Sequence, residues 1–311
     1  MRRNWLRGGK VALLVGSLAL VLAGCSVQDA EKKLRFGFPT GVTRQATRMR
    51  VLWTWTGVTA LAVGIVVWGL IFWCVIRYRK KSDELPRQTK YNLPVEIVYS
   101  IIPFLFIAGL FYRTVVVEND VNKLTPNPDV TVQVDAFKWN WQFQYLDDHG
   151  TATTYTGTKT PLSTVGSDDE IPVLVIPVGE NVRFVEHSED VIHSFWVPEF
   201  IFKRDVIPYG TQSTARDNQF EITPTTEGSY VGRCAELCGT YHSQMNFEVR
   251  IVSKDTFQKY LTALDAAGKD NPTRQSQALS AVGLAPYATT THPFDTNRAS
   301  GTEVKPSASG S

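Results

Sequence analysis

Residues 51 to 76, Val51 through Ile76, contain no charged side chain and are rich in Val, Leu, Ile and Trp. At about 1.5 Å of rise per residue, such a run crosses a hydrocarbon core of about 30 Å. Lipid offers no partner for backbone polar groups, so the run must be helical. A second apolar run covers about 95 to 117, broken only by Glu96 and Arg113. Between them lies Arg77-Tyr78-Arg79-Lys80-Lys81, followed by Arg87 and Lys90. Positive loops stay in the cytoplasm. Lys32, Lys33, Arg35, Arg44, Arg48 and Arg50 make the preceding segment basic too, so charge alone comes close to a tie.

The first 25 residues break the tie. Arg2, Arg3, Arg7 and Lys10 precede the apolar run Val11 to Leu22, and Leu22-Ala23-Gly24-Cys25 offers a small-residue cleavage site. This is the pattern of an export signal, and its last four residues resemble the lipobox of bacterial lipoproteins, in which the Cys is lipidated. The plainer alternative is an ordinary signal with an accidental Cys25. The expected order is a signal at 1–25, an external segment at 26–50 and a transmembrane helix hairpin at 51–117 in the bacterial cell membrane. An extracytoplasmic domain at 118–255 follows.

That domain differs in charge from the rest. Residues 118 to 255 hold 21 Asp and Glu against 10 Lys and Arg, a net of −11, whereas the whole chain is +2. An acidic domain attracts a basic partner. No basic patch with interleaved aromatics of the kind nucleic acids need is present, so nucleic-acid binding is not expected. Val130, Val132 and Val134 alternate with Thr131, Gln133 and Asp135, and the alternation runs on through Trp139, Trp141, Phe143 and Tyr145. Short apolar segments at 173–176, 182–185, 220–222, 230–232 and 247–252 continue the pattern between Gly and Pro. Such spacing predicts an all-β sandwich or barrel. The polar stretch 147–170 reads as a surface insertion, and the extension 256–311, poor in hydrophobic pattern, as largely disordered.

The chemistry is concentrated in Cys234-Ala-Glu-Leu-Cys238-Gly-Thr-Tyr-His242-Ser-Gln-Met245. Two exported thiols suggest a disulfide by default. Against that stand a His four residues on and a Met three beyond it. Thiolates and imidazoles together select copper or zinc, and a thioether suits copper far better. A single blue-copper ion needs only one Cys. Two on one loop can bridge a pair of metal ions, with one His on each. His193 is the candidate for the second His. His149 lies in the insertion and His292 in the extension; His187 remains a substitute close to His193.

With these residues in place, the stretch from Pro177 to Val252 resembles the cupredoxin domain of the cytochrome c oxidase subunit II family, with its binuclear copper centre, CuA. Counting the helix hairpin, the resemblance spans roughly residues 45 to 255 and omits the insertion and the extension. It implies His193, Cys234, Cys238, His242, Met245 and the backbone carbonyl of Glu236 as copper ligands. It also implies that the Glu236 carboxylate helps hold Mg²⁺ at the junction with subunit I. Lys138-Trp139-Asn140-Trp141-Gln142-Phe143 resembles the family's aromatic segment, whose first Trp, here Trp139, receives the electron from cytochrome c. For Trp141 core packing is the expected role. Glu96 matches a Glu at the mouth of a proton-uptake pathway, although a carboxylate at a helix N-terminus is also favoured in its own right. Asp190 and Asp205 match acids near the subunit interface.

The implied activity is electron transfer from cytochrome c to haem in subunit I, where oxygen is reduced to water and protons are translocated. The expected partners are subunit I, other oxidase subunits, cytochrome c and membrane lipid. No Cys-x-x-Cys-His occurs, so the donor haem must sit on another protein, either soluble or tethered to a bc complex. Three other readings compete. A quinol-oxidase-type subunit lacks the copper ligands, nitrous oxide reductase lacks this anchor, and a copper chaperone or structural lipoprotein would hold one copper or a disulfide.

Overall fold

The computed structural model describes residues 35, 37–80, 82–85, 88–146, 162–167, 169–208 and 218–293. The signal segment with Cys25, and most of the insertion with His149, lie outside them. The chain divides into two units, residues 1–39 with 50–101 and residues 40–49 with 102–311.

Helix α1 spans Arg44–Arg77 and α2 spans Leu93–Val121. Each is long and apolar enough to cross a membrane. Ile65, Trp68, Ile76, Phe104 and Phe111 stand exposed on them, as lipid-facing side chains do. The first helix begins at Arg44 rather than Val51 because the Thr43 hydroxyl accepts the Ala46 N–H at 2.9 Å, a cap that starts the helix earlier than the apolar run does. At the start of α2 the Glu96 carboxylate accepts the Asn92 N–H at 2.9 Å, which gives a partner to a donor that the helix start leaves without one.

Among the described residues of the second unit, ten strands form two five-stranded sheets. One sheet runs β3-β2-β1-β5-β8, built from Leu162–Val165, Asn140–Leu146, Val130–Phe137, Val182–Ser188 and Gln219–Ile222. The other runs β4-β10-β9-β6-β7, built from Val173–Pro177, Asn246–Val252, Gly228–Cys234, His193–Val197 and Phe202–Val206. The expected continuous alternation from Val130 to Tyr145 is in fact a hairpin. Phe137 pairs with Asn140, which leaves Lys138 and Trp139 as its turn. Residues 162–165 of the expected surface insertion form edge strand β3, because Leu162 and Thr164 are buried against β2.

Between the sheets, Trp141, Phe143, Phe184, Phe195, Phe220 and Phe247 are almost wholly buried. Phe195 and Phe247 stack at 4.7 Å, and Phe184 and Phe220 at 4.8 Å. The rings leave little slack. A Cβ on Gly232 would stand 2.0 Å from the Phe247 ring.

The extension 256–311 is not largely disordered where it is described. Helices α3 (Lys254–Ala266) and α4 (Arg274–Ala281) pack on the sandwich. Ser253 caps α3 by accepting the Thr256 N–H at 3.1 Å. Phe257, Tyr260, Leu261 and Leu264 then share one buried face, an apolar period that the polar composition around it concealed. On α4 the Gln275 side chain accepts the Val173 N–H at 2.7 Å and donates to the Ile171 carbonyl at 3.0 Å.

Beyond α4 the chain is clamped to β10. The Glu248 Oε2 accepts the backbone N–H groups of Thr289 and Thr290 at 2.6 and 2.7 Å, and both hydroxyls as well. Arg250 pairs with Glu248 at 2.7 Å and donates to the carbonyls of Ala285 and Tyr287. Burial opposes ionisation of Glu248, but the hydrogen bonds from Thr290 and Arg250 outweigh it and hold the carboxylate below its ordinary range.

A carboxylate whose folded pKa is depressed adds stability that is present above the unfolded value, about 4.3. That stability is lost as pH falls through the folded value. The unfolding midpoint is therefore expected to drop on acidification below about pH 4.3, and Glu248→Gln is expected to flatten that drop. Chemical denaturation across pH 3–6 measures both.

Candidate metal centre

Sheet order places the site. Strands β10, β9 and β6 are neighbours, and β9 is antiparallel to both others. The C-terminal end of β9 therefore meets the N-terminal ends of β10 and β6. Cys234 closes β9, Met245 immediately precedes β10 and His193 opens β6. The Cys234 N–H donates to the Met245 carbonyl, and the Ala235 N–H to the Ser194 carbonyl, each at 3.0 Å. The intervening loop carries Glu236 and Cys238, then a 3₁₀ turn, His242–Gln244.

Six donors meet there. Both cysteines are free, with their sulfurs 3.8 Å apart. The His193 Nδ1 lies 3.9 Å from the Cys234 sulfur, and the Glu236 carbonyl 3.3 Å from it. The His242 Nδ1 lies 3.6 Å from the Cys238 sulfur, and the Met245 sulfur 3.8 Å from it. Ligand atoms of His193, Cys234 and Cys238 all fall within 4.8 Å of one another, and the three residues are buried. Each sulfur thus has one imidazole nitrogen and one weaker donor beside it. Soft donors converging in a buried pocket fit copper.

The surroundings orient the donors. The His193 Nε2 faces the Asp190 Oδ1 at 2.8 Å, while the Asp190 Oδ2 accepts the Lys138 N–H at 2.8 Å. Burial lowers the His193 pKa, but contacts with Cys234 and Asp190 outweigh it and leave it raised. Burial likewise raises the pKa of Asp190, and its bonds to His193 and to the Lys138 and Val191 N–H groups bring it below the ordinary carboxylate range. Burial also disfavours both thiolates. Contact with His193 nevertheless draws the Cys234 proton off more easily, and the resulting charge holds the proton of Cys238 on.

Two indoles bind the loop. Trp139, half-buried, donates from Nε1 to the Cys238 carbonyl at 3.2 Å, and Trp141, fully buried, to the Met245 carbonyl at 3.2 Å. Trp141 is therefore both core and support for the site. Gly239 has φ 120°, a backbone that favours glycine, and a Cβ there would press on the Trp139 ring at 3.2 Å. Trp139 also meets the Tyr241 ring edge-on at 5.0 Å.

Other residues singled out from the sequence stand elsewhere. His187 faces Glu189 at 3.6 Å and does not join the cluster. Glu96 is half-buried at the start of α2, and Asp205 is half-exposed beside Lys203 at 3.4 Å. The role of Asp190 as a bridge between His193 and the Trp139 turn went unread. Its signal was a carboxylate three residues before a candidate ligand.

A β-sandwich that gathers thiols, imidazoles and a thioether at its strand ends, behind two membrane-length helices, defines an anchored electron-transfer module of the cupredoxin kind. The family model "Cytochrome C oxidase subunit II, periplasmic domain" matches residues 130–252. The probable cytochrome c oxidase subunit 2 of Nocardia farcinica is 45% identical, over 97% of this chain and 92% of its own. Cytochrome c oxidase subunit 2 of Mycobacterium tuberculosis is 41% identical, over 94% and 90%. Among solved structures, the periplasmic domain of cytochrome oxidase subunit II of Bradyrhizobium japonicum is 25% identical. That match covers 45% of this chain and 95% of that one, with a TM-score of 0.36. The chain belongs to the cytochrome c oxidase subunit 2 family, and is thus part of an oxidoreductase complex.

Asp190→Ala would leave the His193 ring unheld. Loss of such an orienting partner costs about 10- to 100-fold in metal affinity. Competition with a copper chelator is expected to show a loss of that size, with the fold retained by circular dichroism.

Proposed function

We propose that the chain receives electrons from a cytochrome c at Trp139 and delivers them to haem in subunit I, where oxygen is reduced to water with proton translocation. The convergence of four further donors on the two cysteine sulfurs supports this reading best. His193, Cys234, Cys238, His242, Met245 and the Glu236 carbonyl would hold two copper ions as CuA. Such a centre supplies a one-electron relay with its charge spread over both metals.

The protein's own groups do the rest. Asp190 fixes the His193 imidazole. The buried sulfurs and Met245 exclude water, and the strand ends together with the loop that the two indoles bind hold the donors, which suits a site that must change little on reduction. The Trp139 indole reaches from a cavity at the surface to the loop carbonyl of Cys238. This is a short hydrogen-bonded route inward. The net charge of −11 over residues 118–255 favours a basic donor.

The Glu236 carboxylate would bind Mg²⁺ together with subunit I, since a carboxylate suits that hard cation. Glu96 would stand at the mouth of a proton pathway. Cys25 would carry lipid, and the two helices would cross the bacterial cell membrane with the sandwich outside.

Optical and electron paramagnetic resonance spectra of the copper-loaded protein test the centre. A mixed-valence signal from two equivalent coppers is expected, with Cys234→Ser abolishing it. A single-copper spectrum in the unaltered protein would overturn the assignment. In the assembled oxidase, Trp139→Phe is expected to slow cytochrome c oxidation roughly tenfold, as 1.4 kcal/mol on the barrier would, with the two-copper signal retained although the Cys238 carbonyl loses its indole donor.

A further inference from the structure

Beside Trp139 lies a cavity of about 520 Å³. Ser167, Tyr241, Gln244 and Asn246 line it together with Trp139, and so does Pro293. Pro293 comes from the C-terminal extension, three residues past Thr290, the last residue that Glu248 clamps.

We propose that the strap 285–293 is a specificity-determining wall for the protein electron donor, setting which donor surface fits against Trp139. The inference rests on Trp139 as the electron entrance. A polar chain end left loose would sweep a wide volume and shape nothing. Here Thr289 and Thr290 give four hydrogen bonds to one carboxylate, and Arg250 takes the carbonyls of Ala285 and Tyr287. Asn246, Glu248 and Arg250 are two apart along β10, so they share a face of the strand. The residue that lines the cavity and the two that grip the strap are thus carried by one strand, and the wall keeps its distance from the indole.

The occupant that fits is a basic protein presenting a haem edge. Asp169 and Glu170 lie in the sequence between Ser167 and Ile171, both of which line the cavity, and the domain as a whole is strongly acidic. A small one-electron reductant reaches Trp139 without touching the wall, which gives the proposal its own readout.

The test compares three chains in the assembled oxidase: full length, ended after Pro293, and ended after Ala288. The shortest keeps α3, α4 and both carbonyls that Arg250 holds, so the sandwich retains its cover. It is expected to raise KM for cytochrome c about fivefold, the effect of losing one contact of ordinary strength. Its kcat, its rate with the small reductant and its copper absorption should stay unchanged, and the chain ended after Pro293 should match full length. An unchanged KM in the shortest chain overturns the proposal. So does a loss of copper absorption, which would make the strap merely structural, or an equal rise in the chain ended after Pro293. Trp139→Phe separates the two readings: if it leaves cytochrome c turnover intact, the entrance itself is wrong and the strap proposal falls with it.

Discussion

Two indole N–H groups hold the ligand loop, Trp139 within it on the Cys238 carbonyl and Trp141 at its end on the Met245 carbonyl. A loop rich in small and polar residues has little to pin it, and its carbonyls would otherwise turn to solvent. Both indoles come from the β1–β2 hairpin of the opposite sheet, so the loop is fixed by the sandwich as a whole. The Trp141 ring meets His193 at 6.3 Å, Phe195 at 6.1 Å and Phe247 at 5.2 Å. One side chain thus joins the His193 imidazole, the core and the loop between β9 and β10.

The same packing accounts for the stillness of the donors. Close-packed aromatic rings resist displacement, because any shift forfeits contact on one side without gaining it on the other. Phe247 is wedged between Phe143, Trp141 and Phe195, and it sits two residues after Met245. Gly232, two residues before Cys234, lies beneath the Phe247 ring. Motion of either ligand strand is thus opposed by the ring that crosses both. A centre that alternates between oxidation states gains from this, since the protein stores little energy in rearrangement each time an electron arrives.

Much of this was legible in the residues. The uncharged run from Val51 and the β alternation announced helix and sandwich, because burial period and lipid both write themselves into composition. The cluster of Cys234, Cys238, His242 and Met245 was legible because so few chemistries want that donor set at that spacing. Partners set by tertiary folding were not. The Asp190–Lys138 contact joins residues 52 apart and Trp141–Met245 joins residues 104 apart, and no local pattern records either. The hairpin turn at Lys138 and Trp139 is marked only by a slip of one in the alternation, from even positions up to Ala136 to odd ones from Trp141, and so slight a break passes for a continuous strand. Helix α3 was missed for another reason. Its apolar face is only four residues, Phe257, Tyr260, Leu261 and Leu264, among Lys, Gln, Thr and Ala, and a stripe that sparse resembles disorder until a sheet is there to receive it.

The connecting segments are held by buried polar bonds. Thr43 bridges to Pro224, the Arg44 N–H donates to the Thr223 carbonyl, and the Gln45 side chain accepts the Thr223 N–H at 3.0 Å. After α2, Thr125 gives its N–H and hydroxyl to Glu221, which also accepts from Asn181 and pairs with Arg183. Arg183 in turn donates to the Thr125 carbonyl. Glu221 is almost wholly buried, and stripping a buried charge of its partner costs about 3–5 kcal/mol. Local opening of the 122–129 connection would have to break that network at once, so the segment moves with the sheet. Residues 43–45 and 122–129 thus behave as part of the domain that holds the donors.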